Sequence, residues 1–526
     1  MGTTDLNPEI ICPQDVVLRS CLGLVAVDSG ASTVRLIHYT LQEYLCLPDV
    51  LPTARQTLAQ ASLCYLNYNI IKGLPADKVP IFQDLPFLQY SSLYWGIHAK
   101  EGLSDAVKLL ALELLSRYNI HISATILFNR VQPHRYHFVN VPLFTGLHCA
   151  SYFGMVEVVE VLIQTEGCDI NQQDSGGFTP LMWAIHAEHE DVAVLLLARD
   201  DVDPNMSDNN DQTALWWASR RGHEEVVKLL LARGDVNPDH PDHRGVTPLS
   251  QACMDGHEGV VRLLLARDDV SPDEPDDAGH TPLWRASIYG HEGVVRQLLA
   301  RNDVTPDSSS IHGDTPLSSA CYQGNEGVVG LLLAADYLNP SQSDGSGQRP
   351  LWWACLNGDE GMVRQLLAID NANADQPDSC GRTPLWWASL CGHEGVVRLL
   401  LARDDVNPDE PSIDGQTPLS QASLAGHEGV VRQFLRRDDV NPEKPDHNDI
   451  TPLMQASAYG HEGVVRLLLA RDDINPNKTN KWGYTALLSA SGRGREEVVW
   501  LLLARHDINS NKQDVHGQTP LLWASG

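Results

Sequence analysis

The chain is poor in positive charge. Its 526 residues carry 38 lysines and arginines against 68 acids, a formal charge of −30. The deficit is uneven: residues 1–144 hold 11 acids and 10 bases, so residues 145–526 hold 57 and 28, a net −29. A surface of that sign repels phosphate backbones and anionic headgroups, which argues against nucleic acid and membranes as partners. The eleven cysteines lie scattered from Cys12 to Cys391 without a C-x-x-C pair, so neither a disulfide framework nor a zinc finger is expected. No charged-then-apolar leader opens the chain and no run of 18 apolar residues occurs. Membrane spanning and secretion are therefore not expected, and a reduced, cytoplasmic location is, with the nucleus left open. No glycine is followed directly by lysine, so the phosphate loop G-x-x-x-x-G-K-[ST] is missing and no nucleotide is expected.

What is present is periodicity. Hydrophobic residues make up 43%, enough to fold, but 526 residues are too many for one core. Unit starts fall at Thr145, Thr179, Thr213, Thr247, Thr281, Thr315, Arg349, Thr383, Thr417, Thr451, Thr485 and Thr519, always 34 residues apart. In the unit beginning at Thr383, that threonine is an N-cap candidate and Pro384 suits the first helical position. Leu385, Ala388 and Ser389 share one helical face, with small residues where another helix comes close. Gly392 is expected to end this helix in a left-handed conformation. Val397, Leu400 and Leu401 form the inward stripe of a second helix, and "DDVNPDEPSIDGQ" reads as a hairpin or loop to the next unit. Helices of about ten residues are marginal alone, so the unit makes sense only in series.

A tetratricopeptide repeat would begin W-x₂-L-G. This unit instead reads T-P-L-x-x-A, then G-H, V-V-x-L-L-L and D-V-N, and resembles the ankyrin repeat over residues 145–526. The fold expected from the resemblance is mainly α: about eleven full repeats and a truncated twelfth in a solenoid roughly 90–110 Å long. Two departures stand out. The period is 34 where the family has 33, and the family's histidine after T-P-L survives only as His148, with Trp, Ser, Met or Leu elsewhere. The array stops at "TPLLWASG", which reads as a fragment or a truncated gene product.

Residues 1–144 lack the period. "CLGLVAVDSGASTVRLIHYTLQEYL" reads as strand, turn, strand and helix, while "TLAQASLCYLNY" and "DAVKLLALELLSRY" suggest further helices. A winged-helix-like segment over 1–50 and a helical linker over 51–144 are expected. Leu24–Asp28, Thr33–His38 and His38–Leu45 resemble the region that follows the ATPase module in fungal NACHT–ankyrin proteins. That resemblance implies an array acting as the recognition half of a signal-transducing NTPase in non-self recognition.

Several residue sets invite chemistry and have a plainer reading. His223, His257, His291, His393, His427 and His461 recur at one unit position, where helix-turn hydrogen bonding explains them better than a metal. Trp216, Trp217, Trp352, Trp353, Trp386 and Trp387 suit packing between repeats, although Gln421 and Gln455 at one of these positions suggest partial exposure. The acidic loops, such as Asp404, Asp405, Asp409 and Glu410, lack the D-x-D-x-D-G-x₅-E calcium ladder and read as a solvated face that could attract a basic partner. No catalytic grouping stands out, and no cofactor or enzymatic activity is expected.

The two positions before the turn glycine vary while their neighbours stay fixed. They supply Tyr152, Phe153, Arg220, Arg221, Met254, Ile288, Tyr289, Tyr322, Leu390 and Tyr459. The ankyrin resemblance places them on a ligand-facing groove, and tyrosine and arginine are common hot-spot residues. A non-enzymatic scaffold gripping a protein or peptide, possibly basic, is the reading these residues support.

Overall fold

The computed structural model describes residues 25–28, 33–36, 52–67, 69–74, 86–100, 104–131, 143–345, 347–369 and 373–525. It divides into two compact units, one of residues 1–252 with 257–271 and one of 253–256 with 272–526.

In the N-terminal unit, strands β1 (Val25–Asp28) and β2 (Thr33–Leu36) pair antiparallel, with Val25 opposite Leu36 and Asp28 opposite Thr33. They lie where strand, turn and strand were read; the rest of the winged-helix-like segment falls outside the described residues. Helices α1 (Pro52–Leu66), α2 (Asn69–Lys72), α3 (Pro86–Ala99), α4 (Asp105–Leu115) and α5 (Ile122–Val131) follow. They bury Leu63, Leu66, Leu88, Trp95 and Phe128. The carbonyl of Leu66 accepts from His121 Nε2 at 3.1 Å, and burial holds that imidazole down to about 4, so it packs neutral.

The expected linker is a cap. Phe144 packs edge-on against Trp183 at 5.5 Å and also meets Phe128 and Tyr118. A side chain on Gly146 would begin 2.2 Å from the carbonyl oxygen of Leu115, so only glycine lets α4 approach the first repeat this closely. The helices thereby cover an apolar end that a solenoid cannot leave open.

The repeats are helix–turn–helix–hairpin units. In the one starting at Thr383, the threonine hydroxyl accepts the Trp386 N–H at 3.2 Å, and the first helix runs Pro384–Cys391. Gly392, at φ +79°, closes it, and a side chain there would collide with His427 of the next repeat. The second helix, Glu394–Leu401, buries Val396, Val397, Leu400 and Leu401. A hairpin turn around Ser412–Gly415 returns the chain to the next threonine.

Neighbouring repeats inside each unit are tied by bonds that recur in register. The ladder histidine bonds a carbonyl ending the preceding first helix: His427 Nε2 to Leu390 O at 2.9 Å, His461 to Leu424 O at 2.8 Å. An arginine after the second helix donates to a carbonyl one repeat back, as Arg403 does to Leu367 at 3.2 Å, while forking onto its own Asp405 at 2.8 and 2.7 Å. A loop carboxylate accepts the next repeat's N–H, Asp409 from Asn441 at 2.7 Å. Hairpin tips add a backbone bond, Ile413 N to Cys380 O at 2.9 Å. Each satisfies a helix or loop end that would otherwise lack a partner.

Candidate protein-binding face

The residues before each turn glycine sit in the last turn of the first helices. Their exposure differs from one to the next. Tyr289, Tyr322 and Tyr459 are 56%, 49% and 47% exposed, and Arg220 is exposed as well. Tyr152, Arg221, Met254, Ile288 and Leu390 are half-buried. Phe153 is a correction: it is 3% exposed, with its ring edge-on to Trp95 at 5.5 Å and pressed on Gly96. The cap covers it, which no count within the repeats could have foretold.

In the N-terminal unit, Tyr152, Phe153 and Arg221 line one cleft of about 420 Å³ together with Lys100, Glu188 and His189. Arg221 pairs with Glu188 at 3.3 Å. Burial, with Lys100 beside it, holds His189 down to about 4, so this ring is neutral. Arg220 lies over the Trp216 and Trp217 rings at 5.6 and 5.4 Å. A planar cation spread on indole loses little freedom on contacting a partner.

In the C-terminal unit, Tyr322 stands edge-on to Trp353 at 4.7 Å, and the Met254 sulfur accepts from Arg285 at 3.2 Å. Tyr459 borders a larger cleft of about 580 Å³, whose other walls are Trp482, Tyr484, Trp523, Asp446 and Gln455. Sequence reasoning passed over the first four and weighed Gln455 only as a packing position. The available signal was the row of small residues: Ala458 and Gly492 stand where sibling repeats carry Leu356, Leu390 and Leu424.

The tryptophans pack. Trp216, Trp217, Trp352 and Trp386 are buried and Trp353 and Trp387 half-buried. Gln421 and Gln455 are themselves buried, so the partial exposure read from them holds at that position only for Trp353 and Trp387. In several units this position abuts the hairpin aspartate nine residues earlier; before Gln421 that residue is Ser412. Trp183 and Trp217 donate their indole N–H to Asp174 and Asp208 at 2.7 and 3.3 Å. Burial nevertheless pushes the Asp174 carboxyl up to about 6, against the opposing pull of the Trp183 indole and the backbone N–H groups of Phe178 and Gly176.

The ladder histidines His223, His257, His291, His393, His427 and His461 each direct Nε2 at a backbone carbonyl, between 2.8 and 3.1 Å away. Among the described residues no three His, Cys, Asp or Glu side chains converge as metal ligands. Burial raises the thiols of Cys149, Cys253, Cys321 and Cys355 far above their ordinary range, which makes them poor nucleophiles. No described helix is long and apolar enough to cross a membrane. The face offers aromatic rings, guanidinium groups and carboxylates: surfaces for holding.

No curated protein matches the chain. Among solved structures, the crystal structure of the ankyrin repeat domain of Bcl-3, a member of the IkappaB protein family, is similar at 28% identity. That match covers 40% of this chain and 94% of that one, with a TM-score of 0.36. A family profile described as "Ankyrin repeats (3 copies)" matches residues 95–208, 147–240, 201–276, 232–308, 269–344, 317–411 and 404–480. With most of its length so matched, and with helix pairs and hairpins repeating every 34 residues, this chain belongs to the ankyrin-repeat family.

Proposed function

We propose that this chain is a non-enzymatic interaction scaffold that holds a protein or peptide partner on the helix–hairpin face of its repeats. Ankyrin repeats are general protein-interaction modules. One observation carries the reading furthest: buried positions repeat nearly unchanged, while the two positions before the turn glycine change freely and include the exposed Tyr289, Tyr322, Tyr459 and Arg220. A scaffold that only needed to fold has no use for large aromatics in water. The net −29 of residues 145–526 favours a basic partner, met in the cytoplasm or the nucleus.

Affinity purification from cell extract at low and high salt identifies the partner and reads the charge term. Replacing Arg220, Arg221, Tyr289 and Tyr322 together by alanine is expected to abolish capture of that partner with little change in thermal stability. Unchanged affinity in this quadruple variant overturns the assignment.

A second reading is favoured by the β1–β2 hairpin and the residues that resemble the NACHT–ankyrin segment. In it, the chain is the recognition half of a split or truncated signal-transducing NTPase. An in-frame phosphate-loop domain encoded just upstream supports this reading, and an authentic start at Met1 favours the stand-alone scaffold.

A further inference from the structure

The 580 Å³ cleft of the C-terminal unit exists because two repeats leave out side chains that their siblings supply. Ala458 and Gly492 replace the leucines found as Leu356, Leu390 and Leu424, and Gln455 and Ser489 replace the tryptophans found as Trp353 and Trp387. The hole is within the size range of ligand pockets. Its walls are aromatic, with Tyr484 edge-on to Trp523 at 5.9 Å and Trp482 45% exposed at the rim.

Two acceptor atoms in its lining have no donor, Asp446 Oδ2 and the Gln455 side-chain oxygen. Asp446 spends Oδ1 on the backbone N–H groups of Asn448 and Ile450, at 2.8 and 2.9 Å, and Oδ2 is left over. Two repeats before and two repeats after, that second oxygen has a donor: Trp387 reaches Asp378 at 3.5 Å and Trp523 reaches Asp514 at 3.2 Å. Opposite Asp446 stands Gln455, 6% exposed, whose side-chain oxygen is buried with no partner. Leaving a buried acceptor unmade carries a real penalty, so a missing donor is implied.

The molecule itself shows what kind of donor fits. At the equivalent pair one finds Arg285, whose Nη2 bonds Asp276 Oδ2. At a neighbouring copy Arg382 donates Nε to Asp378 Oδ2 at 2.9 Å while lying over the Trp387 ring at 4.5 Å. In the lining of the cleft itself, Arg493 lies over Tyr459 at 4.8 Å. A hairpin carboxylate beside an aromatic ring is thus filled by guanidinium twice in this chain, and a third guanidinium stacks on a ring of the cleft.

We infer that the cleft takes an arginine side chain from a basic segment of the partner. Its guanidinium lies against the rings of Trp482 and Tyr484 and donates to Asp446 Oδ2 and the Gln455 side-chain oxygen. The planar fork reaches two acceptors at once and stacks, which an ammonium does less well. This rests on the interaction-scaffold reading and names one anchor within it.

The test uses the full chain and a labelled seven-residue peptide of alternating glycine and arginine, with lysine and citrulline versions, read by fluorescence anisotropy at physiological salt. Citrulline keeps the shape and removes the charge. The citrulline peptide is expected to bind about tenfold or more weakly and the lysine peptide to fall between the two. Ala458→Leu, which fills the hole with the residue three sibling repeats carry, is expected to lower affinity by about tenfold with an unchanged unfolding midpoint. Asp446→Asn removes one of 57 acids in the array, so a loss of about fivefold marks a site and no loss marks diffuse attraction. Equal binding of arginine and citrulline peptides, or by Ala458→Leu and the native chain, overturns the inference. The scaffold reading then stands or falls separately with the quadruple alanine variant and the cellular partner.

Discussion

Two stretches of the C-terminal unit solve the same packing problem with different means. The three repeats over 383–484 carry the full set of ties: a threonine cap, a ladder histidine, and arginines (Arg403, Arg437 and Arg471) that fork onto their own aspartates at 2.6–2.8 Å. Residues 315–382 drop several. Arg349 stands in place of the capping threonine and its side chain makes no cap bond. Ala335 and Ile369 stand where the arginine belongs, so the carbonyls of Leu299 and Leu333 receive no guanidinium. Tyr337 replaces the paired aspartate, 96% exposed and at φ +68°. The histidine tie survives in altered form: Asn325 Nδ2 reaches Ser287 O and Ile288 O, and Asn357 Nδ2 reaches Cys321 O and Tyr322 O, all at 2.9–3.0 Å. The stretch also gains an aromatic cluster, with Trp352 against Trp353 at 4.4 Å and against Trp387 at 4.9 Å. The inward stripe is untouched, since Val328, Val329 and Leu332 are as buried as Val396, Val397 and Leu400. The lesson is a ranking in which burial is obligatory, the tie across first helices is kept by any available donor, and surface clamps are optional.

That ranking makes its largest claim about the core. Leu332→Ala and Leu400→Ala remove the same side chain from equivalent, fully buried sites, and each is expected to cost about 2–5 kcal/mol. The two costs should agree within about 1 kcal/mol in chemical denaturation of otherwise identical chains. A much cheaper Leu332→Ala would break the comparison, because it would mean that the irregular stretch packs loosely as well as lacking clamps.

The repeat, its helix limits and its stripe were legible because each rests on short-range rules: Thr caps, Pro at the first position, Gly at positive φ, apolar spacing. Thr383, Pro384 and Gly392 behave as those rules require. What escaped depends on neighbours that a single unit does not contain. Gln455 was taken as partly exposed because it is polar, yet its burial is set by the preceding repeat. Phe153 was taken as groove-facing because of its unit position, yet α3 covers it. The cleft is a subtraction, visible only once Ala458 and Gly492 are compared with leucines elsewhere and the surrounding rings are placed.

A smaller effect is expected at the caps. Arg349→Thr restores a hydroxyl to the first-helix terminus, whereas Thr383→Ala removes one that accepts at 3.2 Å. Opposite changes of about 1 kcal/mol each should follow. Hydrogen exchange of the first-turn amides at 351–353 and 385–387 reads both without assuming that the whole chain unfolds in one step. No slowing in Arg349→Thr would mean that the bulk of Trp352 and Trp353, and not the missing cap, sets that end.

The smallest effect concerns the clamp itself. Ala335→Arg with Tyr337→Asp rebuilds the fork found at Arg403 and Asp405 and returns a donor to the Leu299 carbonyl. The native forks are partly exposed, with side chains such as Arg403 and Asp405 32% and 51% accessible, so water and salt screen them heavily. The pair alone should add only a few tenths of a kcal/mol. Removing Tyr337 from positive φ relieves strain of about 1 kcal/mol, so the single variant Tyr337→Gly separates relief from clamping. The part of the gain that belongs to the fork should shrink as salt rises, and the part that belongs to the backbone should not. If the whole gain persists at high salt, the clamp contributes nothing at this seam, and its recurrence elsewhere serves solubility and register more than strength.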